Sequence, residues 1–75
     1  MPIVRVSGWE PGMRKISLTK LVQTSSGKDL TEAKAMVDAL LAGQPFEVSF
    51  DNEEAARFFA DQVKELGAEA TTERR

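Results

Sequence analysis

Apolar and polar positions follow two different periods along this chain, and the changes of period divide it into six segments. Ile3, Val4 and Val6 form a β-branched run ending at Ser7 and Gly8, which predicts a strand over residues 2–7. Gly8 through Gly12, with Pro11 inside, reads as a turn. Leu18, Leu21, Val22 and Ser25 then recur at helical spacing and predict a helix over 13–25, stopped at Gly27. Asp29, with Glu32 three residues on, has the spacing of a capping box. It opens a second helix over 30–42, with an inward stripe of Leu30, Ala33, Val37, Leu40 and Leu41. Gly43 and Pro45 end it. Phe46, Val48 and Phe50 alternate strictly with Glu47 and Ser49, the signature of a half-buried strand. Asp51 and Glu54 repeat the cap-and-acid spacing before a third helix over 52–66. Its inner face is expected to carry Ala55, Phe58, Phe59, Gln62, Val63 and Leu66. After Gly67, residues 68–73 read as a short, polar, edge-type strand.

The resulting order, strand–helix–helix–strand–helix–strand, predicts an α+β fold of two layers. Three strands form one sheet, and three helices cover one of its faces in an α/β sandwich. A right-handed crossover between the second and third strands sets them parallel, with room for the first strand between them. The 75 residues allow a single domain over 1–75, with a core too small to enclose a deep cavity.

Composition removes most chemistry. The chain has no cysteine and no histidine, so it has no disulfide, thiolate metal site or imidazole base, and a Ser-His-Asp arrangement cannot be built. The acids fall at helix starts and on polar faces, where capping and solvation explain them. Neither an enzyme nor a cofactor or metal site is expected. No signal peptide and no membrane-length apolar run is visible, so the expected location is the cytoplasm.

Charge is divided unevenly. Residues 1–37 hold six basic and three acidic side chains, a net of +3, while residues 38–75 hold four and nine, a net of −5. The basic half could steer an acidic partner, or could be no more than a solvated surface. In the first helix Ile16 lies about 160° from the inward stripe and so points outward. Thr19, Lys20 and Gln23 follow at i+3, i+4 and i+7, with Lys15 alongside, and these residues form a mixed apolar and basic stripe. Such a stripe is a reasonable docking surface, although one exposed isoleucine is ordinary on any monomer. In the second helix Lys34 sits at the margin of the buried stripe, where its stem can pack while its ammonium reaches water; Glu32 is nearby, and the two also read as an ordinary solvated pair.

Three other features read as structural. Gly27-Lys28 before a helix looks like part of a phosphate loop, but Val22 and Asp29 break the full pattern. Trp9 is expected to cover one end of the small core, with a partner anchor as the alternative. Phe58 and Phe59 are both expected in the core.

The run Lys15-Ile16-Ser17-Leu18-Thr19-Lys20-Leu21-Val22, the loop with Gly27, and the run Leu30-Thr31-Glu32-Ala33-Lys34-Ala35-Met36-Val37 resemble the C-terminal domain of the bacterial ribosomal stalk protein (large-subunit protein L-seven/L-twelve). That family carries K-x-x-x-I-K-x-V-R, a Thr-Gly loop and L-K-E-A-K-x-L-V at these places. Residues 52–69 are similar to its final helix and to the Gly-Ala-Glu that opens its last strand, so the likeness covers nearly the whole chain. It implies a βααβαβ fold of the kind shared with the ClpS adaptor. It also implies a protein-binding role, in which the first two helices recruit a translational GTPase or another ribosome-associated factor. Carried over residue by residue, that surface falls on Lys15, Ile16, Thr19, Lys20 and Lys34, with Glu32 nearby.

Two positions depart from the family. Its arginine after the first helix's valine is Gln23 here, and a glycine before the second helix is Asp29, which should weaken attraction to an acidic factor. The family's helical dimerisation domain and Ala-rich hinge are not in this sequence, and a stand-alone relative is expected. The alternatives are a ClpS-like adaptor for a protease or unfoldase, and a nucleic-acid-binding domain using the basic half. The second is disfavoured by the lack of an aromatic-rich strand or a dense Lys/Arg cluster.

Overall fold

Six elements form in the expected order in the computed structural model, which describes residues 1–74: β1 (Pro2–Trp9), α1 (Lys15–Ser26), α2 (Leu30–Leu41), β2 (Phe46–Ser49), α3 (Glu53–Glu65) and β3 (Ala68–Arg74). The protein is an α+β domain with a three-stranded sheet in the order β2-β1-β3. β1 is the most β-branched strand and takes the centre, antiparallel to both neighbours. β2 and β3 are therefore parallel to each other with β1 between them, as the crossover rule requires.

Register explains the core. Val4 lies between Val48 and Thr72, and Val6 between Phe46 and Ala70, so one face of the sheet presents the buried side chains of Val4, Val6, Val48 and Ala70 with Phe46 at its edge. The three helices cover that face. Leu18 and Val22 of α1, Ala33, Val37 and Leu40 of α2, and Ala56, Phe59, Ala60 and Val63 of α3 are buried against it. On the opposite face Arg5 pairs with Glu47 at 3.4 Å.

β1 runs two residues further than its apolar run predicts. A β-bulge between Val6 and Gly8 shifts the register, sets Trp9 opposite Ala68 and lets pairing continue to the strand's end. Trp9 thus belongs to β1 instead of a turn, and at 43% exposure it covers the core only in part. α1 begins two residues later than expected because Met13 and Arg14 belong to a loop held to the α3–β3 turn. Glu10 N–H donates to Gly67 O at 2.8 Å, and Arg14 N–H donates to Leu66 O at 2.9 Å.

Helix starts follow capping chemistry with one change of residue. Asp29 accepts from Glu32 N–H at 2.8 Å, as its spacing predicts. At α3 the cap is Asn52, accepting from Ala55 N–H at 2.8 Å, and not Asp51. The helix starts one residue further along than the acid spacing suggests, and asparagine serves equally well. Asn52→Ala should cost about 1 kcal/mol in urea unfolding, and Asp51→Ala less than about 0.5 kcal/mol. The reverse order would place the cap at Asp51.

Candidate functional site

α1 and α2 form a helical hairpin across the three-residue turn Gly27–Asp29. Lys15, at the start of α1, bonds Asp38 of α2 at 2.8 Å and fastens the open end of the hairpin. The Lys15 ammonium holds the Asp38 carboxyl below its ordinary value of 3.8, and the charge of Lys34 acts in the same sense. A lowered carboxyl favours the folded state above its ordinary titration range. The contribution disappears as pH falls through the lowered value, so this clasp is closed at neutral pH.

Between the two helices runs an open groove of about 310 Å³, lined by Lys15, Ile16, Thr19 and Lys20 from α1 and by Leu30 and Lys34 from α2. Ile16 is 74% exposed and Leu30 56% exposed. Two bare aliphatic side chains therefore form its apolar surface, and the lysine stems border it with their charges outward. Lys20 makes no ion pair among the described residues, and Lys15 is already held by Asp38. The positive charge facing outward thus comes mainly from Lys20 and Lys34.

The structure brings together five of the seven residues singled out in the sequence. Gln23 is half-buried and does not line the groove. Glu32 is exposed, lies in the first turn of α2 and pairs with Lys28 at 3.6 Å, also outside the groove. Thr19 is in the groove but not outward-facing: it is 7% exposed, and its hydroxyl donates to Lys15 O at 2.9 Å. It lies only about 60° from Val22 on the helix, close enough to the buried stripe for α2 to cover it. Leu30, expected in the core, is the groove residue that sequence periodicity missed. It sits in the first turn of α2, and burial in that helix begins one turn later at Ala33. Its helical spacing from Ala33 and Val37 is that of a core residue, so the sequence held no signal of its exposure.

Phe58 is a second correction. It is 64% exposed, whereas Phe59 is fully buried. Adjacent helical residues point about 100° apart, and the stripe of Ala56, Phe59, Ala60 and Val63 leaves Phe58 on the far side.

Compared with models of known protein families and with curated proteins, the chain matches none.

Two other hollows lie apart from this groove. One of about 510 Å³ is bordered by Met1, Pro2, Asp51, Asn52, Glu53 and Arg74, where Arg74 is paired with Glu53. One of about 330 Å³ lies between Glu10, Lys64 and β3. Neither brings two exposed large apolar side chains together: the first has Met1 alone and the second has none. No set of three or more acidic, histidine or cysteine side chains is placed to hold a metal among the described residues, and no buried side-chain polar atom lacks a partner there. No helix among them is long and apolar enough to cross a membrane.

Proposed function

We propose that this domain is a protein-binding module whose α1–α2 groove receives an acidic segment of a partner carrying one apolar anchor. The observation that carries this reading is the pairing of bare Ile16 and Leu30 with the charges of Lys20 and Lys34 in one groove. Covering an exposed aliphatic side chain contributes up to about 1.5–3 kcal/mol. The exposed lysines add only about 0–1 kcal/mol each but bring an acidic partner in and set its orientation. The expected complex is therefore weak and salt-dependent, with specificity from charge and affinity from the apolar anchor.

The likeness to the ribosomal stalk domain favours a translational GTPase or ribosome-associated factor as the partner. Asp29, where the family has glycine, caps α2 in this protein, so its carboxylate is engaged with the helix backbone. That lessens the repulsion it would otherwise offer an acidic partner.

The test is a titration of the isotope-labelled chain with a helical peptide bearing one leucine between carboxylates, followed by amide chemical shifts. Shifts should concentrate in residues 15–34. The double variant Ile16→Ala, Lys20→Ala should bind at least about tenfold more weakly, a loss of about 1.4 kcal/mol. Its melting temperature should stay unchanged, because both side chains are exposed. Shifts elsewhere, or equal binding by the variant, would overturn the groove. Capture of purified translational GTPases by the wild-type chain, and not by the variant, tests the translation part separately. No capture would remove that partner class.

A further inference from the structure

A second surface of this chain has the chemistry that the groove lacks. On α3, Glu54, Phe58, Asp61 and Glu65 recur at intervals of four, three and four residues, which sets all three acids within about 60° of Phe58 on the helix surface. All four are exposed, Phe58 by 64%. None of the three acids has an ion-pair partner among the described residues. The basic Arg57 and Lys64 lie to one side, about 100–120° from Phe58. The face is thus a single aromatic anchor flanked by free carboxylates on a regular helix, the charge and apolar counterpart of the groove.

We propose that the α1–α2 groove of one copy receives the α3 face of a second copy, with Phe58 against Ile16 and Leu30 and with Glu54, Asp61 and Glu65 facing Lys20 and Lys34. This inference rests on the docking reading above and adds a second occupant, another copy of the chain, which competes with an external acidic partner for the same groove. It is argued from complementarity on both counts. Ile16, Leu30 and Phe58 are three of the five large apolar side chains exposed on the described surface. The lysines of the groove come from the half of net charge +3, and the acids of α3 from the half of net charge −5.

The two patches are different parts of one surface, so the contact is heterologous. Each copy keeps a free groove at one end and a free α3 face at the other, and association continues into short chains or closes into a ring. One helix against one groove buries less than a standard interface, so association is weak and appears at high protein concentration. It weakens with salt, because exposed charges beyond about 8–10 Å are screened at about 0.1–0.15 M ionic strength.

Sedimentation of the full chain from about 20 µM to about 1 mM, a span that covers weak affinities, provides the first test. The weight-average mass should rise towards and past twice the monomer, and less so at about 0.15 M salt. Two variants supply the second test. Phe58→Ala keeps the groove but loses the anchor, and Ile16→Asp keeps the α3 face but spoils the groove. Both substitutions are at exposed positions, and unchanged melting curves confirm that both variants fold. Each alone should remain monomeric. Their equimolar mixture should form pairs that grow no further, because each variant has only one working face. A wild-type chain monomeric at about 1 mM and low salt, or a mixture that does not pair, overturns the proposal. If the acidic peptide still binds residues 15–34 in that case, only the occupant is wrong. If the peptide fails too, the groove reading falls with it.

Discussion

Replacing Phe59 with alanine should cost about 3–5 kcal/mol of folding stability, the largest loss from a single side chain in this domain. Phe59 is the largest of the fully buried side chains. Its ring meets that of Phe50 with centroids 5.2 Å apart and planes inclined at 45°, a favourable tilted pair. The core it belongs to is rich in small residues, among them Ala56 and Ala60 on its own helix and Ala68 and Ala70 on β3. Alanines cannot reach into the space the ring vacates, so the cavity remains open and its full cost is felt. A domain of this length has a total stability of about 4–11 kcal/mol, so the variant would be marginal. Thermal unfolding by circular dichroism should show the midpoint falling by about 15–30 °C. The neighbouring Phe58→Ala should change stability by less than about 0.5 kcal/mol. Comparable losses at the two positions would mean that α3 is rotated from the orientation described.

Gly67→Ala should cost about 2–3 kcal/mol, more than other alanine substitutions in the loops. Gly67 has φ of +96°, where a Cβ is disfavoured, and a Cβ placed there would lie 3.0 Å from the backbone Cα of Met13. The backbone has little freedom to retreat. Gly67 O accepts from Glu10 N–H, and the preceding carbonyl of Leu66 accepts from Arg14 N–H, so both peptide groups are fastened to the loop that must give way. Gly43 provides the control. Its φ is +93°, but nothing lies within 4 Å of its Cβ position. Gly43→Ala therefore carries the conformational cost alone, about 1–2 kcal/mol. The difference between the two variants in urea unfolding measures the clash with Met13. Equal losses would show that the 10–14 loop moves aside freely, and that its two hydrogen bonds to the α3–β3 turn contribute little.

The variants at Phe59 and Gly67 bear on different parts of the fold, and the sequence announced them unequally. The glycine after α3 was visible as a helix stop, because chain reversal needs a residue that tolerates positive φ. Its second role, leaving room for Met13, depends on a loop more than fifty positions away and has no local mark. Similarly, the cap of α2 was readable from Asp29 and Glu32. The cap of α3 was displaced by one residue, because Asp51 and Asn52 are both good caps and only the path of the chain out of β2 chooses between them.

The periodicity of the sequence by itself determined the six elements, their order along the chain and the outward direction of Ile16, Lys20 and Lys34. Those properties depend on residues within one or two turns of each other, and the pattern of apolar positions encodes them directly. Tertiary packing alone decided which residues at the margins of the helices are covered. Thr19 is buried because α2 lies over that flank of α1. Leu30 is bare because the buried stripe of α2 starts one turn beyond it. Phe59, not Phe58, enters the core because only one of two adjacent aromatics can face the sheet. The groove itself belongs to this second class. It exists because the hairpin, clasped by Lys15 and Asp38, carries Ile16 and Leu30 to the same opening, and no spacing along a single helix could have shown that the two would meet.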